Sequence, residues 1–143
     1  MNPFTKLQNL NKNLGELSFP DLASKTHYTT SNSDTTSHLD KEKGDQIVVA
    51  RPELDASSLQ TGSLSTVIFV LDRDLGAGKT PEKEKEQYDR LLDKSAHIFK
   101  AIKDLTDSGC NAYSGLTLSK YSVTPETSMF GGWIGWSIEL TFE

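Results

Sequence analysis

The chain has 143 residues, 20 acidic against 15 basic side chains, and a formal net charge of −5. That length suits one domain able to bury roughly 70% of its unfolded surface, and the acidic balance excludes a surface built to neutralise many phosphates, so sequence-specific nucleic acid is not an expected partner. Hydrophobic residues make up 35% of the chain. Nowhere do they form the run of about 18 that a membrane span requires, and Met1 leads into polar sequence, so the chain is expected to stay in the cytoplasm of the cell that makes it.

Phe4, Leu7, Leu10, Leu14 and Leu17 recur at spacings of three and four, which predicts one apolar stripe on a helix. Asn9, Asn11, Asn13 and Gly15 are weak helix formers, so the stripe needs a surface to pack on, either its own domain or a neighbouring subunit. From Tyr28 to Asp45 the chain is dominated by Thr, Ser, Asn, Asp, Lys and His, a composition that by itself reads as a mobile loop. Gln46 to Ala50 is a short β-rich run closed by Arg51-Pro52, and Ser63 to Asp72 is the strongest strand, apolar without alternation from Val67 to Leu71 and so expected to be central and covered on both faces.

Thr80 is a suitable N-cap, Pro81 suits a first helical turn, and Glu82 and Glu84 match the helix dipole. The helix that follows is expected to bury Tyr88, Leu91, Leu92, Ser95, Phe99, Ile102 and Leu105 and to stop near Gly109. Leu116, Leu118 and Lys120 alternate with Thr117, Ser119 and Tyr121 as a half-buried strand. Pro125, Gly131 and Gly132 mark a loop. Ile134, Trp136, Ile138, Leu140 and Phe142 then alternate in a final strand. These elements predict an α+β fold of two layers, a mostly antiparallel sheet with one long helix packed on one face, plus an N-terminal helix or arm. Residues 1–45 read as an N-terminal arm and mobile loop, and residues 46–143 as the α+β core domain.

Residues that could carry chemistry do not complete a motif. Gly76-Ala77-Gly78-Lys79-Thr80 follows a strand and opens a helix, as a phosphate-binding loop would, but Arg73 stands where that pattern needs its first glycine and Pro81 follows Thr80. Asp72 and Asp74 form an Asp-x-Asp pair without an evident third ligand. His27 and His38, with Asp34 and Asp40 nearby, lie in a loop-like stretch, and His97 has no accompanying nucleophile motif. Cys110 has no internal partner and no basic neighbour. Trp133 and Trp136, on a glycine-rich approach to a strand, suit a core or interface anchor. No catalytic, cofactor-binding or metal-ligating residue is assigned.

The short strand ending in Arg-Pro (Ile47 to Pro52), the long apolar strand (Ser65 to Leu71), the acidic-start helix (Pro81 to Leu105) and the closing Gly-Trp-Ser-Ile-Glu-Leu-Thr-Phe (Gly135 to Phe142) together resemble the tail terminator and head–tail joining proteins of long-tailed bacteriophages. The resemblance covers residues 46–143. It implies a non-enzymatic virion subunit that forms a hexameric ring with copies of itself, caps the tail tube and meets head-connector proteins. A ring needs heterologous contacts. Phe4, Leu7, Leu10, Leu14, Leu17 and Trp133 are the residues expected at a subunit interface. Two other readings stay open: a protein-binding module with a site lined by Trp133 and Trp136, and an enzyme using Asp72, Asp74 and Lys79.

Overall fold

In the computed structural model, which describes residues 3–13, 25–58, 61–107 and 116–142, the most apolar stretch of the sequence becomes the middle of a sheet. The elements in chain order are α1 (Pro3–Lys12), β1 (Thr26–Thr29), α2 (Asn32–Leu39), β2 (Gln46–Ala50), β3 (Glu53–Ser58), β4 (Thr61–Arg73), a 3₁₀ turn (Gly76–Gly78), α3 (Pro81–Asp107), β5 (Leu118–Met129) and β6 (Trp133–Phe142). The strands lie in the order β1-β2-β4-β6-β5, with β3 beside the first half of β4. All pairs are antiparallel except β1 with β2. The α+β class and the single long helix agree with the expectation from sequence.

One face of the sheet carries the main core. Ile47, Val49, Ile68, Val70, Ile138, Leu140 and Phe142 meet Leu91, Ile98 and Ile102 of α3 and Leu7 and Leu10 of α1. Each fully buried Leu or Ile here contributes about 1.5–3 kcal/mol of transfer free energy. Along α3 the buried line is Gln87, Leu91, Ser95, Ile98, Ile102 and Thr106. The expected stripe was turned too far: Leu92 is 38% exposed, and Ile98 replaces it in the core. Periodicity alone admits both lines, because Leu92 and Phe99 continue one ridge and Leu91 and Ile98 the next.

The opposite face is only partly covered. Leu39 of α2 packs with Val48, Leu71 and Trp133, while Phe69, Met129 and Phe130 are half-buried beside them. β4 is therefore covered fully on the α3 side and incompletely on the other, short of the two-sided cover its composition suggested.

Three further corrections concern segments the sequence left irregular. Asn32–Leu39, expected to be loop, forms α2: Ser31 caps the Asp34 amide, and Thr35 and Leu39 are buried. Thr26–Thr29 adds a parallel strand on β2, so residue 45 falls between two strands of one sheet. Across Arg51-Pro52 the five residues Val49 to Glu53 face the four from Ile68 to Ser65, a one-residue bulge separating β2 from β3. Proline cannot donate there, and the Ala50 carbonyl is instead met by the Thr66 hydroxyl at 3.2 Å and the Asn11 amide at 3.4 Å.

Candidate functional site

The described turns of α1 sit on the chain's own sheet. Leu7 and Leu10 are fully buried, and the Asn11 amide donates to Thr66 Oγ1 at 2.8 Å. Those two leucines, expected at a subunit interface, have no surface left for a neighbour. The Phe4 side chain, Leu14 and Leu17 lie outside the described residues, as does Cys110. Trp133 is likewise buried, at 1% exposure, under the Arg73 guanidinium.

The Asp-x-Asp pair is tied into the start of α3. Asp72 accepts from the Arg73 amide, from Gln87 Nε2 at 2.9 Å and from Arg90 at 2.6 Å. Asp74 accepts from the Gly76 amide at 3.0 Å and lies 3.7 Å from Lys79, which also pairs with Glu84. The glycine-rich turn thus spends its lysine on two carboxylates, and Thr80 Oγ1 accepts the Lys83 amide as the N-cap that the sequence suggested. Beside this network, Asp45 bonds Arg90 and Lys94. Burial pushes the Asp45 carboxyl up, but the hydrogen bonds and charges of Arg90 and Lys94 outweigh it and hold the group below its ordinary value.

His27 and His38 do meet, with ring centroids 5.6 Å apart edge to face, yet His27 contacts Gln46 at 2.9 Å and His38 contacts Asp34 at 3.3 Å. Among the described residues no group of three His, Cys, Asp or Glu converges as a metal site. The rings bridge α2 to β1. Their proximity comes from α2 folding back on β1 and has no signature in the sequence spacing.

An open groove of about 760 Å³ runs between the start of α2 and the β5–β6 turn, lined by Thr30, Ser31, Asn32, Arg51, Phe69 and Phe130 among others. Phe69 and Phe130 stack edge to face at 5.2 Å on its floor. Asp34 accepts from the Thr30 amide, and Ser31 caps the Asp34 amide. The helix's own side chains therefore occupy polar groups that an anion would need, and one of them is a carboxylate.

The largest unpaired feature is the outer edge of β5. The strand is twelve residues long, pairs on one side with β6, and is exposed along most of its length. Among the described residues nothing pairs with its other side. Tyr121 is 63% and Val123 39% exposed, the two large apolar side chains that this strand presents to solvent. An unpaired row of amides and carbonyls is a template for another strand.

The sequence placed a loop at Pro125, and the structure continues the strand through it. A proline in a paired edge strand has its missing donor on the unpaired side. A bulge between Leu118 and Lys120 also reverses the expected alternation. Leu118 and, after the bulge, Tyr121 both lie on the α3 side, where the Tyr121 ring contacts Phe99 with centroids 4.6 Å apart. Lys120 and Ser122 join Glu139 and Thr141 on the uncovered face.

No family model matches this sequence, and no curated protein matches it. Among the described residues no helix is long and apolar enough to cross a membrane.

Proposed function

We propose that this chain is a non-catalytic structural subunit that assembles with other protein chains through the free edge of β5. The observation that carries the reading is that twelve-residue edge, bearing exposed Tyr121 and Val123 on a sheet whose other long strands are all paired on both sides. Edge strands are commonly blunted by short length or by cover. Here the edge is long, and Pro125, Lys120 and the register irregularities between Leu118 and Lys120 and between Glu126 and Met129 restrain indiscriminate pairing along it.

The engagement of Asp72, Asp74 and Lys79 in ion pairs and helix-start hydrogen bonds supports reading them as framework. The resemblance of residues 46–143 to tail terminator and neck proteins supports a more specific form, a ring subunit at the end of a phage or phage-like tail. In that form the partners are further copies of the chain, the tail tube and head-connector proteins, and the place of action is the virion.

Light scattering on the purified chain over a hundredfold concentration range tests the assembly reading. Association beyond a single chain that is lost in Tyr121→Lys, with the far-UV spectrum unchanged, is the expected result. A single-chain mass at every concentration overturns it. A mass of six chains selects the ring.

A further inference from the structure

We infer that the partner of the β5 edge is a second copy of the same edge, running antiparallel with Val123 on the two-fold axis. The inference rests on the assembly reading above, takes the β5 contact as a closed two-fold pair in place of the head-to-tail contact of a ring, and adds its occupant, register and symmetry. Between Lys120 and Glu126 the pairing of β5 with β6 is regular, so side chains alternate cleanly. Tyr121, Val123 and Pro125 lie opposite Leu140, Ile138 and Trp136 on the α3 side. Lys120, Ser122, Thr124 and Glu126 lie on the uncovered face, where Glu126 accepts from Ser137 at 2.8 Å.

The segment Lys120-Tyr-Ser-Val-Thr-Pro-Glu126 complements itself about its centre. In an antiparallel pair with Val123 opposite Val123, Lys120 of each copy faces Glu126 of the other. Ser122 faces Thr124, and Tyr121 faces Pro125. Opposite charges and hydroxyl pairs directly across a ladder are stabilising. Moving the register by two residues breaks this match: Lys120 would face Thr124 or Ser128, and both Glu126 residues would lose their lysine.

The backbone selects the same arrangement. Since Pro125 points its missing donor outward, the residues two and four before it, Val123 and Tyr121, point their amides outward as well. Val123 then exchanges both hydrogen bonds with its symmetry mate, and the Tyr121 amide donates to the Pro125 carbonyl of the other copy. The only outward donors missing are those of the two prolines.

A second layer follows from α3. Tyr88, Leu92 and Phe99 form the ridge of the helix nearest β5: the Tyr88 hydroxyl donates to the Glu126 carbonyl at 2.7 Å, and Phe99 touches Tyr121. Leu92, on that same ridge, is 38% exposed. Joining two β5 edges would produce one continuous sheet with an α3 on the same side in each copy. Tyr121 and Val123 of both copies would floor the trough between the helices, and Leu92 and Phe99 would wall it. Apolar side chains left open in the single chain would thereby be covered.

The test is site-directed cross-linking of the full chain in a Cys110→Ser background, which removes the sole native cysteine. In a hydrogen-bonded antiparallel pair the two residue-123 Cα atoms are about 5.5 Å apart, within disulfide reach. Val123→Cys is expected to form a covalent dimer under mild oxidation. Ser119→Cys, whose symmetry mates lie roughly 27 Å apart at about 3.4 Å per residue, is expected not to.

Charge reversal supplies a second readout that folding alone would not reproduce. Lys120→Glu is expected to weaken association about tenfold, because like charges then oppose each other twice across the ladder. Adding Glu126→Lys in the same chain should restore it. If association persists without the residue-123 cross-link and without charge-swap rescue, the two-fold register is wrong while assembly stands. If neither cross-link nor association occurs at any concentration, both readings fall.

Discussion

The Arg73 guanidinium lies 4.4 Å from the centroid of the Trp133 ring while donating to the carbonyls of Leu39 at 3.2 Å and Asp40 at 3.0 Å. One side chain thus joins the end of β4, the start of β6 and the C-terminal end of α2, where carbonyls left without helical partners need donors. α2 has little apolar surface of its own, so this capping adds to the Ser31 N-cap and the buried Thr35 and Leu39 in holding a polar segment as a helix.

Replacing Arg73 with Met keeps the stem and removes the fork. The expected cost is about 2 kcal/mol, from one cation–π contact and several charge-assisted hydrogen bonds. Hydrogen exchange should accelerate first at the amides of α2, and Arg73→Lys should recover only part of the loss, because an ammonium cannot reach the same carbonyls from a stacked position. Uniform acceleration across the sheet would instead show that α2 is not specifically held by this residue.

Acid should weaken the fold through Asp45. Its carboxyl is depressed by Arg90 and Lys94 in excess of the burial that raises it. A depressed folded pKa means that the stabilisation is fully present above the unfolded value and is lost as pH falls from about 4 through the folded value. Asp45→Asn should cost about 2 kcal/mol at pH 7, leaving Lys94 without its carboxylate. Urea denaturation at stepped pH should show a shallower acid slope in the variant; identical slopes would assign the acid sensitivity elsewhere.

Gly135 tests the closest approach in the sheet. A Cβ built there would lie 1.9 Å from the Val70 carbonyl oxygen, and the backbone φ of +153° is one that side chains rarely adopt. The obstruction is main chain of the central strand and cannot rotate away. Gly135→Ala is expected to lose about 3 kcal/mol and to broaden the amide resonances of β4 and β6. A thermal midpoint within a degree of the parent would contradict the observed register.

The packing of α1 in cis makes a further expectation definite. Leu10→Ala should cost about 3 kcal/mol through the cavity it leaves in a fully buried site. Asn11→Ala should cost about 2 kcal/mol, since Thr66 and the Ala50 carbonyl beside the Pro52 bulge lose a buried donor. Equilibrium unfolding of each variant measures these directly. Full parental stability in both would place α1 outside the folding unit.

Several elements were legible from local pattern. β6 alternates because one of its faces meets α3. α3 begins where Thr80 and Pro81 place it, and the apolar run of β4 occupies the sheet centre because two neighbours satisfy its backbone. In each case the burial partner is reflected in the spacing of the residues themselves. The exposed edge was the least legible part. Pro125 reads as a strand breaker until it is known that one side of β5 has no neighbour, and the bulge at Leu118 and Lys120 changes which residues face α3 without any marker in composition.

By itself the sequence determined the α+β class, the long helix with its start and the central and final strands, since these follow from hydrophobic periodicity and capping chemistry within a few residues. Only the tertiary structure decided that α1 docks on its own sheet, that Asn32–Leu39 within the polar stretch is helical and that Asp72, Asp74 and Lys79 are bound into ion pairs. It also decided that Tyr121 and Val123 stand on an open edge. Each of these depends on partners distant in the chain: Asn11 with Thr66, Arg73 with Leu39, Arg90 with Asp45 and Tyr121 with Phe99. Such contacts form only once strand order and register bring those residues together, and no local spacing encodes them.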